Sequence, residues 1–325
     1  MMKRRGILGV IAAAALAAGL GGNAMAADGL EIRLGSISPV EGADYKAAAT
    51  FAERAAELSD GAIKVTIFPN SSLGTYKEML EQIRAGALEG IYESMGIVGP
   101  WHPLGGLEAV PYLYRDADHF FRVWRSDLGE EVLEALAAES NFRLIGPAFR
   151  GFRQMSVNRN VEKVEDLDGM KLRVPAIPAY VEAWRALGVS PTPVAFEEVY
   201  TAIQQGVVEG QENPIGLIYD HHFNEVSDYL VLSNHMAETL GFIFNEAWWK
   251  ELSDGQREIL AQAATASADW YRAYTEENEQ RMIDALAEKG MTVVRPELDG
   301  FVERARTAEI DPAIAPWVEK MRAVE

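Results

Sequence analysis

Gly169-Met170-Lys171-Leu172-Arg173-Val174-Pro175 has the form of a short strand that ends on a proline. Proline cannot donate to a ladder, so the chain must leave the sheet there. The segment therefore sets Arg173 at the carboxyl end of a strand. In open α/β sheets, ligands sit beyond those ends. A planar guanidinium meets a carboxylate there with two parallel hydrogen bonds. Two further segments share this character. Gly151-Phe152-Arg153-Gln154 reads as the exit of a strand begun at Phe142, and Gly210-Gln211-Glu212-Asn213-Pro214 reads as a polar turn presenting the Asn213 amide. A single arginine is more often a surface residue whose stem lies along apolar surface. Two arginines and an asparagine in one half of the chain point toward a small acid as ligand.

The surrounding pattern alternates strand and helix. Leu30–Gly35, Ile63–Phe68 and Leu88–Tyr92 read as strands. Helical spacing joins Tyr45, Ala48, Phe51, Ala52, Ala55 and Leu58, and a second helix runs from Tyr76 to Ala85. This order implies parallel strands with right-handed crossovers. The pattern resumes with strands at Phe142–Ala148, Lys171–Val174, Tyr229–Leu232 and Leu240–Asn245, and with helices at Ala179–Leu187 and Phe196–Gln205. Ser253-Asp254-Gly255-Gln256 opens a long helix reaching about Lys289. A chain of this length exceeds one compact core, so two lobes are expected. With no low-complexity linker, they must be joined by crossing strands and the long helix.

The N-terminus reads as a secretory leader over residues 1–26. Lys3-Arg4-Arg5 is basic, Gly6–Leu20 is apolar, and Ala24-Met25-Ala26 resembles a cleavage site. The apolar run is short of the roughly 20 residues of a spanning helix. Export to a bacterial periplasm, without direct membrane insertion, is the expectation. There is no cysteine, so neither a disulfide framework nor a cysteine-borne lipid anchor exists. The formal charge is −19, and losing three basic residues with the leader would leave −22. Such an acidic chain is unsuited to nucleic acid or an anionic membrane. A site for acids must then concentrate positive charge locally. No phosphate-binding glycine loop or serine nucleophile elbow occurs, and no cofactor is expected. His221 and His222 are adjacent and make a poor chelate. Trp248 and Trp249 read as core.

Several stretches together resemble the solute-binding proteins of tripartite ATP-independent periplasmic (TRAP) transporters, of the C4-dicarboxylate- and sialic-acid-binding type. They run from Gly151 through Pro175, from Gly188 through Tyr200, and from Gln204 through Pro214. Leu58-Ser59-Asp60-Gly61, Ile63-Lys64-Val65, Phe68-Pro69 and Ser72-Leu73-Gly74 fit in the first half. The resemblance covers nearly all of the chain beyond residue 26. It implies an α/β, two-lobed periplasmic binding protein that closes on its ligand and docks, as a monomer, on a membrane permease. The expected lobes are residues 27–150 with about 239–278, and 151–238 with about 279–325. It further implies that Arg173 forms a bidentate bridge to the ligand carboxylate, that Arg153 contacts the same group or its neighbour, that Asn213 donates to the carboxylate, and that Phe196 lines the pocket. Glu93 matches a glutamate that faces ligand hydroxyls in sialic-acid binders, against the plainer reading of a solvated strand end. Lys77 matches an ionic ligand contact of some members. Gly35-Ser36-Ile37-Ser38 departs from the usual first-strand motif. Trp101, His102 and Trp184 are further aromatic candidates.

Two alternatives stay open at this level. One is a periplasmic enzyme using Glu93 or Glu197 as general acid or base. The other is a sensor on the same fold. Between ligand classes, Glu93 favours a hydroxylated monocarboxylate such as a sugar acid. A C4-dicarboxylate stays open through Lys77.

Overall fold

The computed structural model of the chain describes residues 29–325; the leader expected over residues 1–26 lies outside them. Ten strands form one twisted sheet system: β1 (Leu30–Gly35), β2 (Ile63–Phe68), β3 (Gly90–Ser94), β4 (Phe142–Val157), β5 (Lys171–Val174), β6 (Ser190–Pro193), β7 (Gly210–Pro214), β8 (Tyr229–Val231), β9 (Ala237–Asn245) and β10 (Thr292–Val294). Their order is β2-β1-β3-β9-β4-β7-β5-β6, with β8 on β4 and β10 on β8. The parallel crossovers expected from the first strands are present, since β1 pairs in parallel with both β2 and β3.

β4 carries the chain from one lobe to the other. Its first part, Phe142–Phe152, pairs antiparallel with β9. Its last part, Arg153–Val157, pairs instead with β7, and Met155–Val157 also with β8. β9 is buried along its whole length. The two lobes are therefore joined by a crossing strand, as expected, but β4 is far longer than the Phe142–Ala148 read from the sequence. Gly146 looks like an interior strand residue and Gly151 like a strand end. Both sit in bulges, where the register shifts between Ile145 and Ala148 and between Phe149 and Gly151. Arg153 is consequently inside a strand and not at its exit.

Gly210–Pro214 is a second correction. It is no turn but the buried strand β7, inserted between β4 and β5. Its polar side chains are tolerated because each finds a partner inside, as set out below. Helices Ala117–Trp124 and Asp127–Ser140 were not read from the sequence at all. The edge strand β6, Ser190-Pro191-Thr192-Pro193, was also unread. Its prolines fit only an edge, where a missing donor costs no ladder bond.

The long helix runs from Asp254 to Glu288, opened by a reciprocal cap between Ser253 and Gln256. Leu260, Ala263, Ala264 and Tyr271 pack with Ile32, Phe51 and Phe242 of the first lobe. Met282, Ile283 and Leu286 pack with Ile218, Phe223 and Leu230 of the second. One rigid rod thus contributes to both cores. Phe51 stacks on Phe242 at 4.0 Å between ring centroids. Phe244 stacks on both Trp248 and Trp249, which are core packing as expected.

The helix lies so close to β4 that a Cβ on Gly146 would stand 2.6 Å from the Ala264 Cβ and 2.9 Å from its carbonyl oxygen. Gly146 also has a φ of +63°. Gly146→Ala is expected to destabilise by about 2–4 kcal/mol through strain and overpacking. Gly61→Ala, at φ +83° with nothing within 4 Å, should cost only roughly 1–2 kcal/mol of strain. Equilibrium denaturation of both variants checks this; equal losses would refute the close helix approach.

Candidate functional site

Where β4 changes partners, it carries Arg150 and Arg153, both buried. Burying a guanidinium is costly unless carboxylates meet it. Arg150 ion-pairs with Asp44, with Glu93 at 2.9 Å and with Glu238 at 2.7 Å. Arg153 ion-pairs with the other Glu238 oxygen at 2.5 Å and, through Nε, with Glu212 at 2.5 Å. His235 Nε2 joins Glu212 at 2.9 Å, and Ser233 Oγ meets His235 Nδ1 at 2.8 Å. The result is a continuous row of alternating sign, Asp44, Arg150, Glu238, Arg153 and Glu212, which ends on His235, an imidazole that burial keeps below its ordinary pKa. Asp44 lies on helix Ala43–Leu58 and Glu212 on β7, so the row runs from one lobe into the other.

The local environments tune these groups. Burial alone would raise the Asp44 carboxyl, but Arg150, Ser38 and Tyr271 reverse this and hold it below its ordinary value. Burial likewise acts upward on Glu212, and Arg153 and His235 bring it below normal. Glu93 is different. Burial pushes it up, Arg150 only partly offsets this, and Glu238 and Asp44 add repulsion, leaving it at about 7. One Glu93 oxygen accepts from Arg150 and from the Ser94 N–H; the other is buried with no partner among the described residues. Glu108 is also raised to about 7, by burial and then by Glu238. Its oxygens accept from Ser94 Oγ at 2.6 Å, Tyr180 Oη at 2.6 Å and the Thr239 N–H at 3.0 Å.

Arg150 and Arg153 both face a cavity of about 40 Å³ between the lobes. Water centres need about 10–15 Å³ each, so this is room for a few waters or one carboxylate head. Its walls include Ile37, Ile97, Ile177 and Leu217, with Tyr76, Tyr180, Phe196, Asn213, Glu238 and Arg173. Arg173 is only 2% exposed, yet it has no ion pair among the described residues. Its one hydrogen bond runs from Nε to the Val194 carbonyl at 2.9 Å, which leaves both terminal nitrogens unused. Phe196 lies against it, 5.8 Å from ring centroid to guanidinium carbon. Burial lowers the Arg173 pKa to about 10, so it remains a cation at neutral pH.

Five of the six residues expected at the site therefore line one cavity: Arg173, Arg153, Asn213, Glu93 and Phe196. Lys77 does not. It is exposed on helix Tyr76–Arg84, and its neighbour Tyr76 takes the place on the cavity wall. Successive helix residues point about 100° apart, so a shift of one residue exchanges inside for outside. Glu93 is no solvated strand end, being 3% exposed. Arg153 is already committed. Besides its two ion pairs, it donates to the Glu212 carbonyl at 2.6 Å and to Asn213 Oδ1 at 3.0 Å. The Asn213 amide in turn donates to Gln211 Oε1, leaving one N–H free to face the cavity. Trp184 is fully buried against His235, 4.7 Å away, and Trp101 packs edge-on against Phe142 at 5.9 Å; neither lines the cavity. His222 is exposed and His221 sits at the end of helix Ile215–Asp220.

Arg150, Asp44, Glu238, Glu212, Glu108, Tyr76 and Tyr180 were not singled out in the sequence. A faint signal existed for three of them. Glu108 and Glu238 interrupt apolar runs, and Arg150 stands three residues before Arg153. A charge inside an apolar run implies a buried partner, but not which one.

Residues 34–309 match the family model of the bacterial extracellular solute-binding proteins, family 7. The sialic acid-binding periplasmic protein of Vibrio cholerae is 31% identical over 90% of this chain and 92% of its own length. A TRAP periplasmic solute-binding protein of Roseobacter denitrificans, solved with bound L-galactonate, superposes with a TM-score of 0.85 at 33% identity, covering 91% of this chain and 99% of that one. One from Polaromonas sp. JS666, bound to D-erythronate, gives 0.83 at 28% identity, with 91% and 99% coverage. Family, fold and the buried cationic cavity agree: this chain belongs to the bacterial extracellular solute-binding proteins, family 7, the solute-binding components of TRAP transporters, and is a binding protein rather than an enzyme.

Proposed function

We propose that the chain captures a polyhydroxylated monocarboxylate, a sugar acid, between its lobes and delivers it to a TRAP membrane permease from the periplasm. The observation that carries this reading is Arg173. Among three arginines on the cavity wall it alone lacks a carboxylate, and its two terminal nitrogens are free to bind one side-on. Arg153 and Asn213 then act chiefly as its setting. Glu212 and Glu238 hold the Arg153 guanidinium, and Arg153 orients the Asn213 amide, whose spare N–H adds a donor to the ligand carboxylate.

A sugar acid suits the remainder of the cavity better than a dicarboxylate. Glu93 and Glu238 would repel a second carboxylate, and Lys77 is exposed and does not line the wall. Hydroxyls can both donate to the unpartnered Glu93 oxygen and accept from guanidinium N–H groups. The relatives solved with L-galactonate and D-erythronate support the same class. A whole sugar acid exceeds the present cavity, so its capture requires the lobes to part and close again. We place the lobe division near residues 150 and 151, a reading supported by the exchange of β4 partners from β9 to β7 two residues later, between Phe152 and Arg153.

Arg173→Ala is expected to weaken sugar-acid binding by about 2–5 kcal/mol, as for removing one member of a buried charge pair. Arg173→Lys should also bind poorly, because an ammonium cannot form the planar fork. Titration calorimetry with a panel of aldonates and uronates tests both, and near-native affinity in either variant would sink the assignment.

Glu93 adds a pH dependence. Held at about 7, it takes up a proton as pH falls, which removes a negative charge beside the ligand carboxylate. Affinity should therefore rise as pH falls from 8 toward 6, with net proton uptake on binding. The same raised pKa makes a contribution to stability that is complete below the ordinary carboxyl value of 4.5 and is lost as pH climbs through about 7. Calorimetry in buffers of different ionisation enthalpy reads the proton uptake. Its persistence in Glu93→Gln would show that another group is responsible.

A further inference from the structure

A second cavity, of about 190 Å³, adjoins the first and opens toward solvent. Ile37 and Phe196 line both, so two apolar side chains are the partition between them. The far side is polar. Ser71 Oγ donates to Glu197 at 3.0 Å, joining a loop after β2 to the segment after β6. Beside them stands His221, its ring edge-on to Phe196 with centroids 4.7 Å apart. The His221 Nε2 is buried and has no hydrogen-bond partner among the described residues. Arg173, Phe196 and His221 thus follow one another from the inner cavity outward, with 5.8 Å from the guanidinium to the Phe196 ring.

We propose that this outer cavity is a second ligand subsite. It receives the distal, hydroxylated end of an acid whose carboxylate is held at Arg173, with the carbon chain passing between Ile37 and Phe196. The inner cavity, at about 40 Å³, holds a carboxylate head but not a six-carbon chain. The outer one supplies both the missing room and the groups that read hydroxyls. Burial lowers the His221 pKa to about 4, so at neutral pH its ring is uncharged and presents one donor and one acceptor. That pairing suits a hydroxyl, which is itself both. Glu197 adds an acceptor and would repel a terminal carboxylate. The subsite therefore selects long polyhydroxy monocarboxylates over short acids and over diacids. This inference rests on the sugar-acid reading of the Arg173 cavity.

The test is a calorimetric comparison of a three-carbon hydroxy acid with a six-carbon aldonate on the wild type, His221→Phe, Glu197→Ala and Arg173→Ala. Thermal unfolding of each variant verifies the fold. His221→Phe keeps the ring and removes the nitrogens. The wild type should prefer the six-carbon acid, and that preference should fall about tenfold in His221→Phe, the scale of one lost hydrogen bond to a buried group. Glu197→Ala should reduce it in the same sense, whereas Arg173→Ala should weaken both acids alike. An unchanged preference in His221→Phe and Glu197→Ala makes the outer cavity a water-filled antechamber and overturns the subsite while leaving the Arg173 reading intact. Failure of the wild type to bind either acid overturns both.

Discussion

Two guanidinium groups on one buried strand have to be neutralised where they stand, and that requirement organises this molecule. Arg150 and Arg153 lie where β4 passes from one lobe to the other. Asp44, Glu93, Glu238 and Glu212 converge on them from a helix and three other strands. Glu238 gives one oxygen to each arginine. Breaking such a buried pair is expensive because it strands the surviving charge, by about 3–5 kcal/mol. The row therefore fixes how β4, β7, β9 and the first helix meet. The bulges in β4 and the close approach of the long helix at Gly146 are compatible with that meeting point.

Against this background of paired charges Arg173 stands out. Its wall neighbours have their charges spoken for, and it does not. The molecule as a whole is strongly acidic, with a formal charge of −19. At long range it repels an anion, although salt screens much of this beyond about 10 Å. Inside the cavity the low dielectric strengthens the pull of a single guanidinium that has no carboxylate partner among the described residues. Raised carboxyls at Glu93 and Glu108 add to the effect, because each proton they retain removes a competing negative charge. What the cavity offers an acid is thus set by which charges are left unmatched, and the total number of arginines says little about it.

The legibility of this arrangement in the sequence was uneven. The β-α-β order, the long capped helix and the Arg173 strand end follow from local rules: apolar period, capping residues and a proline stop. Gly151 misled in β4, since it serves a bulge there, as Gly146 does, and does not end the strand. The polar segment of β7 misled in the opposite direction. Gln211, Glu212 and Asn213 look solvated because composition cannot reveal that Ser156 and Arg153 wait on the neighbouring strand β4, with His235 beside them. Lys77 failed by one residue of helix phase, and Tyr76 holds its place.

By itself the sequence determined the family, the alternation of strands and helices, and the presence of an arginine at a strand end where an acid could be met. These depend on nearest neighbours along the chain and on motifs short enough to be read in order. Tertiary structure alone decided which arginines are spent and which is free. Asp44 and Arg150 are 106 residues apart, and Arg153 and Glu238 are 85 apart. Coulomb energy depends on separation in space and on burial, and neither quantity is written along the chain. For the same reason Phe196, placed in the pocket by its motif, acquired a second face against His221 only when the chain folded.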